Sequence, residues 1–316
     1  MINIGFLQNM SNTEIYNLII INARYNMKDI PVEIQLNQIT FQLKEHHNFD
    51  WLLKFGNVFA VFDQQDSGNL SFGVEKDGCK KFIKYAGAHT MAYKGNTNEA
   101  IERLKNSVSL YEKLKHDSLI KLIEHFPVQS GYVLIFDWFD GECLHSHWSF
   151  PPPGKYTNPS SPFYKFKHLC VRERIQSLNS IFSFHVYVEK KNYVAIDFYD
   201  GSILYNFHTN ETKICDIDLY SKKPYVNKMG RLWGSSRFMS PEEFELNAMI
   251  DARTNVFNMG AMAFAILGSE KDRSFIKWEA SKELYKIAFR AVNENRIERY
   301  VSVETFYEEW LNAANA

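Results

Sequence analysis

The pattern of apolar and polar positions changes character along the chain. The first stretch reads as helical: "SNTE", Ser11 to Glu14, has the form of a capping box, with Ser11 accepting from an early backbone N–H and Glu14 returning the bond. Pro31 interrupts the pattern and "VEIQLNQITFQL" resumes it, so residues 1–49 are expected to form a helical N-terminal extension that packs as a cap. From Asp50 to about Ala88 the texture is β-rich. "NVFAVFD" and "LSFGVEKDGCKKFIKYA" are joined through Asp66-Ser67-Gly68-Asn69, and Asp77-Gly78 makes a second turn, which predicts an antiparallel set of strands. Ile101, Leu104, Val108, Tyr111 and Leu114 then recur at helical spacing, and "GYVLIFDWF", Gly131 to Phe139, reads as a buried strand. A Pro/Ser/Gly-rich segment near 145–162, containing "PPPGKYTNPSSP", predicts a loop or insertion without helix. Beyond Phe163 the pattern is mainly helical, broken by short strands around Val194–Ile196, Ile203–Leu204 and Lys213–Cys215. The expected fold class is α+β, with a β-rich first lobe over 50–140 and a mainly helical second lobe over 141–316.

Composition narrows the classes without selecting one. Apolar residues make up 45% of 316 residues, enough for a sizeable core, and the net charge of −1 gives no electrostatic reason to expect nucleic acid or an anionic membrane as partner. Cys79, Cys143, Cys170 and Cys215 are scattered and form no C-x-x-C pair, which argues against structural zinc and for a reducing compartment. The N-terminus lacks the features of a signal peptide, and its longest apolar run, Leu18 to Ile21, is far too short to span a bilayer. A soluble, cytoplasmic protein is expected. The histidines, among them His46, His47 and His116, show no metal-ligand spacing.

The candidate chemistry lies in two acid-bearing stretches, "VAIDFYDGSILYN" and "KICDIDLY". Alone, Asp197, Asp216 and Asp218 are the polar ends of ordinary strands. Their order relative to "WGSSRFMSPEEF" and to Arg299 in "ENRIERYVSVETF" changes that reading, because together these stretches resemble the eukaryotic-like protein-kinase family over roughly residues 50–312. The resemblance implies a two-lobed protein-kinase-like fold using ATP and Mg2+. Ser240-Pro241-Glu242 is similar to the A-P-E end of an activation segment, which implies a structural ion pair between Glu242 and Arg299. Asp216 matches the metal-binding Asp of D-F-G, with Ile217 as apolar anchor and Asp218 where the family has glycine. Asp197 matches the catalytic Asp of H-R-D, but Ala195 and Ile196 precede it. Tyr199 stands at a position that is usually Lys, and Ser202 at the metal-binding Asn position, with Asp200 nearby as a further acid.

The resemblance also implies that Lys84, in "KKFIKYAGA", holds the α/β-phosphates, with Phe82 where a small residue leaves room for adenine. The bland alternative for Lys84 is a strand-edge lysine on a solvated face. "KFGNVFAVF" offers only Gly56 and then Ala60-Val61 as a reduced phosphate loop, with Val58 the alternative match for the residue that covers the adenine. "IFDWF" resembles the hinge, with Phe136 as gatekeeper and Asp137, Trp138 and Phe139 offering backbone bonds to adenine. Asn255 replaces the Asp that braces the catalytic loop, and Gly260 follows on the same helix. The helix carboxylate that partners Lys84 falls on Ser107; Glu99 and Glu102 are the nearby acids. The expected function is phosphotransfer to a protein Ser/Thr hydroxyl. A pseudokinase that binds nucleotide or scaffolds, and a kinase acting on a small molecule, remain the alternatives.

Overall fold

A computed structural model of the chain describes residues 31–146 and 148–315. The expected capping box at Ser11–Glu14 lies outside the described residues. The chain forms two compact units, one running to Leu104 and including His125–Ile135, the other containing Lys105–Glu124 and everything from Phe136 on. The sequence had suggested boundaries after residues 49 and 140.

In the first unit, the helical reading of residues 32–43 is corrected. They form an antiparallel hairpin, β1 (Val32–Leu36) with β2 (Ile39–Leu43), in register from Val32↔Leu43 to Leu36↔Ile39. The reason is local. In "VEIQL" and "ITFQL" the apolar residues recur at every second position, the period of a strand with one buried face. Asn37, at φ 52, supplies the left-handed turn between them. Nor is this segment a separate cap: Ile34, Phe41 and Leu43 belong to the same buried cluster as Phe49, Phe72 and Tyr85.

After a 3-10 turn at Asp50–Phe55 come β3 (Asn57–Phe62), β4 (Asn69–Lys76) and β5 (Cys79–Ala86), then helix α1 (Thr97–Lys113), β6 (Leu122–Val128) and β7 (Gly131–Asp137). The sheet order is β3-β4-β5-β7-β6, which puts β5 at the centre. The Asp77-Gly78 turn joins β4 to β5, with both residues at positive φ.

The second unit is mainly helical, and short two-residue strands stitch its loops together. It contains β8 (Glu142–Cys143), α2 (Gly154–Thr157), α3 (Pro162–Lys167), α4 (Val171–Lys190), β9 (Tyr193–Val194), β10 (Ile203–Asn206), β11 (Glu211–Ile214), β12 (Ser221–Lys222), β13 (Tyr225–Val226), β14 (Met249–Ile250), α5 (Ala252–Leu267), α6 (Lys282–Ala291) and α7 (Val303–Ala314). The Pro-rich insertion is therefore partly helical, contrary to the sequence expectation. Ser161 caps α3, with Pro162 in the first turn, where a missing N–H costs nothing. Helix α5 is buried along almost its whole length and is the axis of this unit. Gly260 allows α6 to approach it, since a Cβ there would lie 2.7 Å from that of Ala291. Among the described residues no helix is long and apolar enough to cross a membrane.

The hairpin's place in the core can be tested. Phe41 is buried and packs edge-on against Phe49 and Phe72, at centroid distances of 5.9 and 6.4 Å. Phe41→Ala should destabilise the first unit by about 3 kcal/mol or more in urea unfolding. A loss below about 0.5 kcal/mol, the range of surface substitutions, would mean that the hairpin is peripheral.

Candidate active site

The loop that carries Asp197 is clamped by a side-chain amide. Asn255 Oδ1 accepts from the Ala195 N–H at 2.9 Å, and its Nδ2 donates to the Ala195 carbonyl at 2.9 Å. A carboxylate at this position could only accept, so Asn binds this backbone more completely than the expected Asp would. The amide also donates to Asn258 Oδ1 at 3.1 Å, and Asn258 in turn donates to the Phe238 carbonyl and to Glu243 Oε2, both at 2.9 Å. A buried polar relay thus runs from the Asp197 loop to the segment over 233–244.

Asp197 and Asp216 share a backbone property. Both are left-handed, at φ 62 and φ 60, and neither lies in a hairpin turn. The hairpin of β10 and β11 sets the position of Asp216: Ile203 pairs with Ile214, and the next residue, Cys215, donates its N–H to the Ser202 carbonyl at 2.9 Å. Ser202 therefore sits across the ladder from the residue preceding Asp216. The Ser202 hydroxyl is buried and has no hydrogen-bond partner among the described residues. Asp216 is exposed and Asp197 half-buried. Tyr199 ties the two carboxylates to one neighbourhood: its hydroxyl pKa is pushed up, first by burial and then by Asp197, Asp216 and Asp200. Tyr220 is raised by burial and then by Asp216 and Asp197. Gly234, at φ 133, packs over this loop; a Cβ there would stand 3.6 Å from the Asp197 Cα.

Oxygen donors suited to Mg2+ are therefore present: an exposed carboxylate at Asp216 and a buried hydroxyl at Ser202. Among the described residues no group of three or more His, Cys, Asp or Glu side chains is placed to hold a metal. That donor set fits magnesium, which takes one or two carboxylates and completes its shell with phosphate and water.

Asp200 does not serve as a further metal ligand. It is buried and bonded by the Lys155 ammonium, and it takes a fork of bonds from Arg237, at 3.0 Å to Oδ2 and 2.9 Å to Oδ1. Glu270 accepts from the same two cations, at 2.7 Å from Lys155 and 2.6 Å from Arg237, and from the Tyr156 hydroxyl at 2.6 Å. Burial alone would raise the Asp200 pKa, but Lys155 and Arg237 outweigh it and hold the carboxyl below its usual range. Lys155, Arg237 and Glu270 were not singled out from sequence. The only available signal was that a buried Asp needs cations, and these lie 45 and 37 residues away in the chain.

Glu242 and Arg299 meet as a buried fork, at 2.7 and 3.1 Å. Arg299 also donates to the carbonyls of Asn293, Arg253 and Glu294, and Thr254 donates to Glu242. Glu243, beside them, differs: it is buried, and among the described residues no cation pairs with it. Its Oε2 accepts from the Ser240 N–H and hydroxyl and from Asn258, and burial pushes its pKa up to about 7.

In the first unit, Lys84 is buried on the central strand β5, opposite Ser71 on β4, and not on a solvated edge. Phe82 lies on the same face of β5, its ring 5.9 Å from that of Phe62. Val58 is part of the apolar cluster, and its N–H donates to Asn37 Oδ1 at 2.8 Å. Gly56, at φ 110, has the Glu75 carbonyl 2.2 Å from where a Cβ would lie, so only glycine fits there.

In the second unit, Phe136 is buried with its ring 4.9 Å from that of Tyr111. The Asp137 N–H is bonded to the Lys121 carbonyl, Trp138 Nε1 donates to Asp140, and the Phe139 carbonyl accepts from Gly141. Ser107 is buried, whereas Glu99 and Glu102 are exposed. An open cavity of about 880 Å³ lies between the insertion and the 233–244 segment, lined by Tyr156, Tyr164, Lys167, Ser235, Arg237 and Lys271 among others.

Comparison with known proteins follows the same direction. Human myosin light chain kinase family member 4 is 22% identical over 166 residues, which is 52% of this chain and 39% of that protein. The G-type lectin S-receptor-like serine/threonine-protein kinase SD1-1 of Arabidopsis thaliana is 22% identical over 227 residues, 68% of this chain and 25% of that protein. The chain thus covers well under half the length of either relative. No family model matches it. These weak likenesses point to a protein-kinase-like relationship and, at most, to kinase-type phosphotransfer.

Two measurements probe the buried charges. Arg237→Ala leaves Asp200 and Glu270 with one cation between them. It should lower unfolding stability by about 3 kcal/mol and speed protease cleavage within 230–240; unchanged stability would show that Lys155 suffices. Glu243 binds its proton more tightly folded than unfolded. Its contribution to stability is therefore complete below about pH 4.5 and is lost as the pH rises toward about 7. Glu243→Gln should flatten the pH dependence of Tm across that window, a change on the order of 3 kcal/mol at its upper end. A slope that survives the substitution would place the titration elsewhere.

Proposed function

We propose that this chain is an ATP-dependent phosphotransferase of protein-kinase type that acts on the Ser or Thr hydroxyl of a protein. The observation that carries this reading is the convergence of Asp197 and Asp216 on Tyr199, both on left-handed backbone, with Gly234 of the 233–244 segment against Asp197. Asp197 orients the acceptor hydroxyl and takes its proton as the oxygen bonds to the γ-phosphorus, while the bond to the β–γ bridging oxygen breaks and ADP leaves. Asp216 and Ser202 are the residues that would hold magnesium, which neutralises phosphate charge when bound. Lys84, desolvated on β5, is the cation for the α/β-phosphates. The cavity lined by Ser235 and Arg237 is the place for an extended acceptor, since Ser235 follows Gly234, which packs against Asp197. Tyr199 brings no positive charge to this loop, so charge neutralisation there rests on the metal.

A second reading, nucleotide binding without transfer, is favoured by the buried Ser107 where a helix carboxylate is expected. Labelled Mg-ATP and a generic protein substrate separate the two. Transfer by the wild-type chain should fall by about 100-fold or more in Asp197→Asn and in Asp216→Asn. Absence of transfer together with a nucleotide-induced rise in Tm would sink the phosphotransferase reading in favour of the second.

A further inference from the structure

Asp218 stands two residues after the proposed metal ligand, where the resemblance leads one to expect glycine. A second carboxylate so close invites a role on the metal. The hydrogen bonds point elsewhere. The Tyr111 hydroxyl, on α1, donates to Asp218 Oδ1 at 3.0 Å. Tyr111 is buried, and its ring packs edge-on against Phe136 at 4.9 Å. Burial and then Asp218 push the hydroxyl pKa well above its usual value, so it remains an O–H donor at any physiological pH. Downstream, the turn closes with the Tyr220 N–H donating to the Ile217 carbonyl at 3.0 Å, and the Tyr220 hydroxyl meets the buried His185 at 2.9 Å. The 216–220 turn is therefore held at Asp218 and at Tyr220 by two buried side chains, Tyr111 of α1 and His185 of α4.

We propose that Asp218 is a positioning residue and not a metal ligand: the Phe136–Tyr111–Asp218 contact fixes the 216–220 turn against the C-terminal part of α1 and so sets the placement of the Asp216 carboxylate. This deepens the phosphotransferase reading and rests on it for the role of Asp216; the brace itself is a property of the unliganded chain. The physical logic is that an exposed carboxylate on left-handed backbone needs an external constraint to keep one orientation. A glycine at 218 would leave the turn free, whereas Asp offers an acceptor to a hydroxyl already buried nearby.

The distinction is between hydrogen-bond acceptance and charge. Asparagine at 218 retains the Oδ1 acceptor and loses the charge; alanine loses both. In amide hydrogen exchange of the unliganded chain, Tyr111→Phe and Asp218→Ala should each exchange roughly 5–10-fold faster than wild type at the Tyr220 amide, while Asp218→Asn stays within about twofold of wild type. Equal exchange in all four chains, or an Asp218→Asn as fast as Asp218→Ala, overturns the brace. The metal half is read by the Mg2+ dependence of the ADP-induced Tm shift. Asp216→Asn should abolish that dependence and Asp218→Asn should preserve it; loss in both makes Asp218 a ligand and overturns the proposal. If wild type shows no Mg2+-dependent shift at all, it is the phosphotransferase reading that fails, and the exchange data alone decide whether the brace exists.

Discussion

The organisation of the second unit depends on neutralising one buried carboxylate. Asp200 follows the proposed catalytic aspartate by three residues and is almost wholly excluded from water. An isolated carboxylate cannot stay ionised there, because loss of hydration costs several kcal/mol even after relaxation. Two cations from different parts of the chain supply the remedy, Lys155 from the Pro-rich insertion and Arg237 from the 233–244 segment, and Glu270 balances the second positive charge. The quartet is neutral and hydrogen-bonded throughout, the condition under which buried ions are tolerated. Four segments are thereby fixed to one another, and charge adds to the apolar contacts that Ile196, Phe198, Phe163 and Phe238 already make there.

The departures from the kinase pattern in this unit fall into two kinds. Some preserve the geometry by other means. Asn255 binds both polar groups of Ala195, and Asp218 fills a glycine position with an acceptor that a buried tyrosine uses. Others change the chemistry available. Tyr199 places a neutral hydroxyl among three carboxylates where a cation is expected, which leaves the local field more negative. The first kind argues that the scaffold is maintained; the second limits what the scaffold can catalyse. Glu242 with Arg299 belongs to neither kind: the two residues form a buried, two-pronged ion pair.

Much of the two-unit layout was legible because it is written locally. Strand–turn–strand signals at Asp66–Asn69 and Asp77-Gly78, and the helical period from Ile101 to Leu114, depend on neighbours within a few residues. The hairpin at 32–43 was also local, yet it was misread: its period-two alternation was subordinated to the helical texture before Pro31, and Asn37 was not read as a left-handed turn residue. The acids Asp197 and Asp216 were singled out by their order along the chain. Their environment was not. The partners of Asp200 lie tens of residues away in a Pro-rich stretch and in a segment quoted for other residues, and no spacing rule links them. The acceptor role of Asp218 depends on a tyrosine 107 residues upstream that periodicity classed only as core.

Among the described residues, Asp197 and Asp216 are left-handed outside the turns and helix ends that hold the other non-glycine residues at positive φ. The remaining non-glycine residues at positive φ, Asn37, Asp77, Asn192, Asn210 and Asn247, lie in turns or follow a helix end, where such geometry reverses the chain. Asp197 and Asp216 reverse nothing. In each case the residues on either side carry the explanation: Ile196 and Phe198 are buried around Asp197, and Ile217 is buried after Asp216. A residue in regular extended backbone between two buried neighbours would direct its side chain to the opposite face of a strand. A left-handed one turns the carboxylate away from that alternation while its apolar neighbours stay in the core. The conformation costs about 1–2 kcal/mol per residue, and burial of a Phe or Ile side chain, worth about 2 kcal/mol, offsets it locally. Packing thus holds strained backbone at two aspartates of one neighbourhood, which leaves both carboxylates at least partly exposed while their apolar neighbours stay buried.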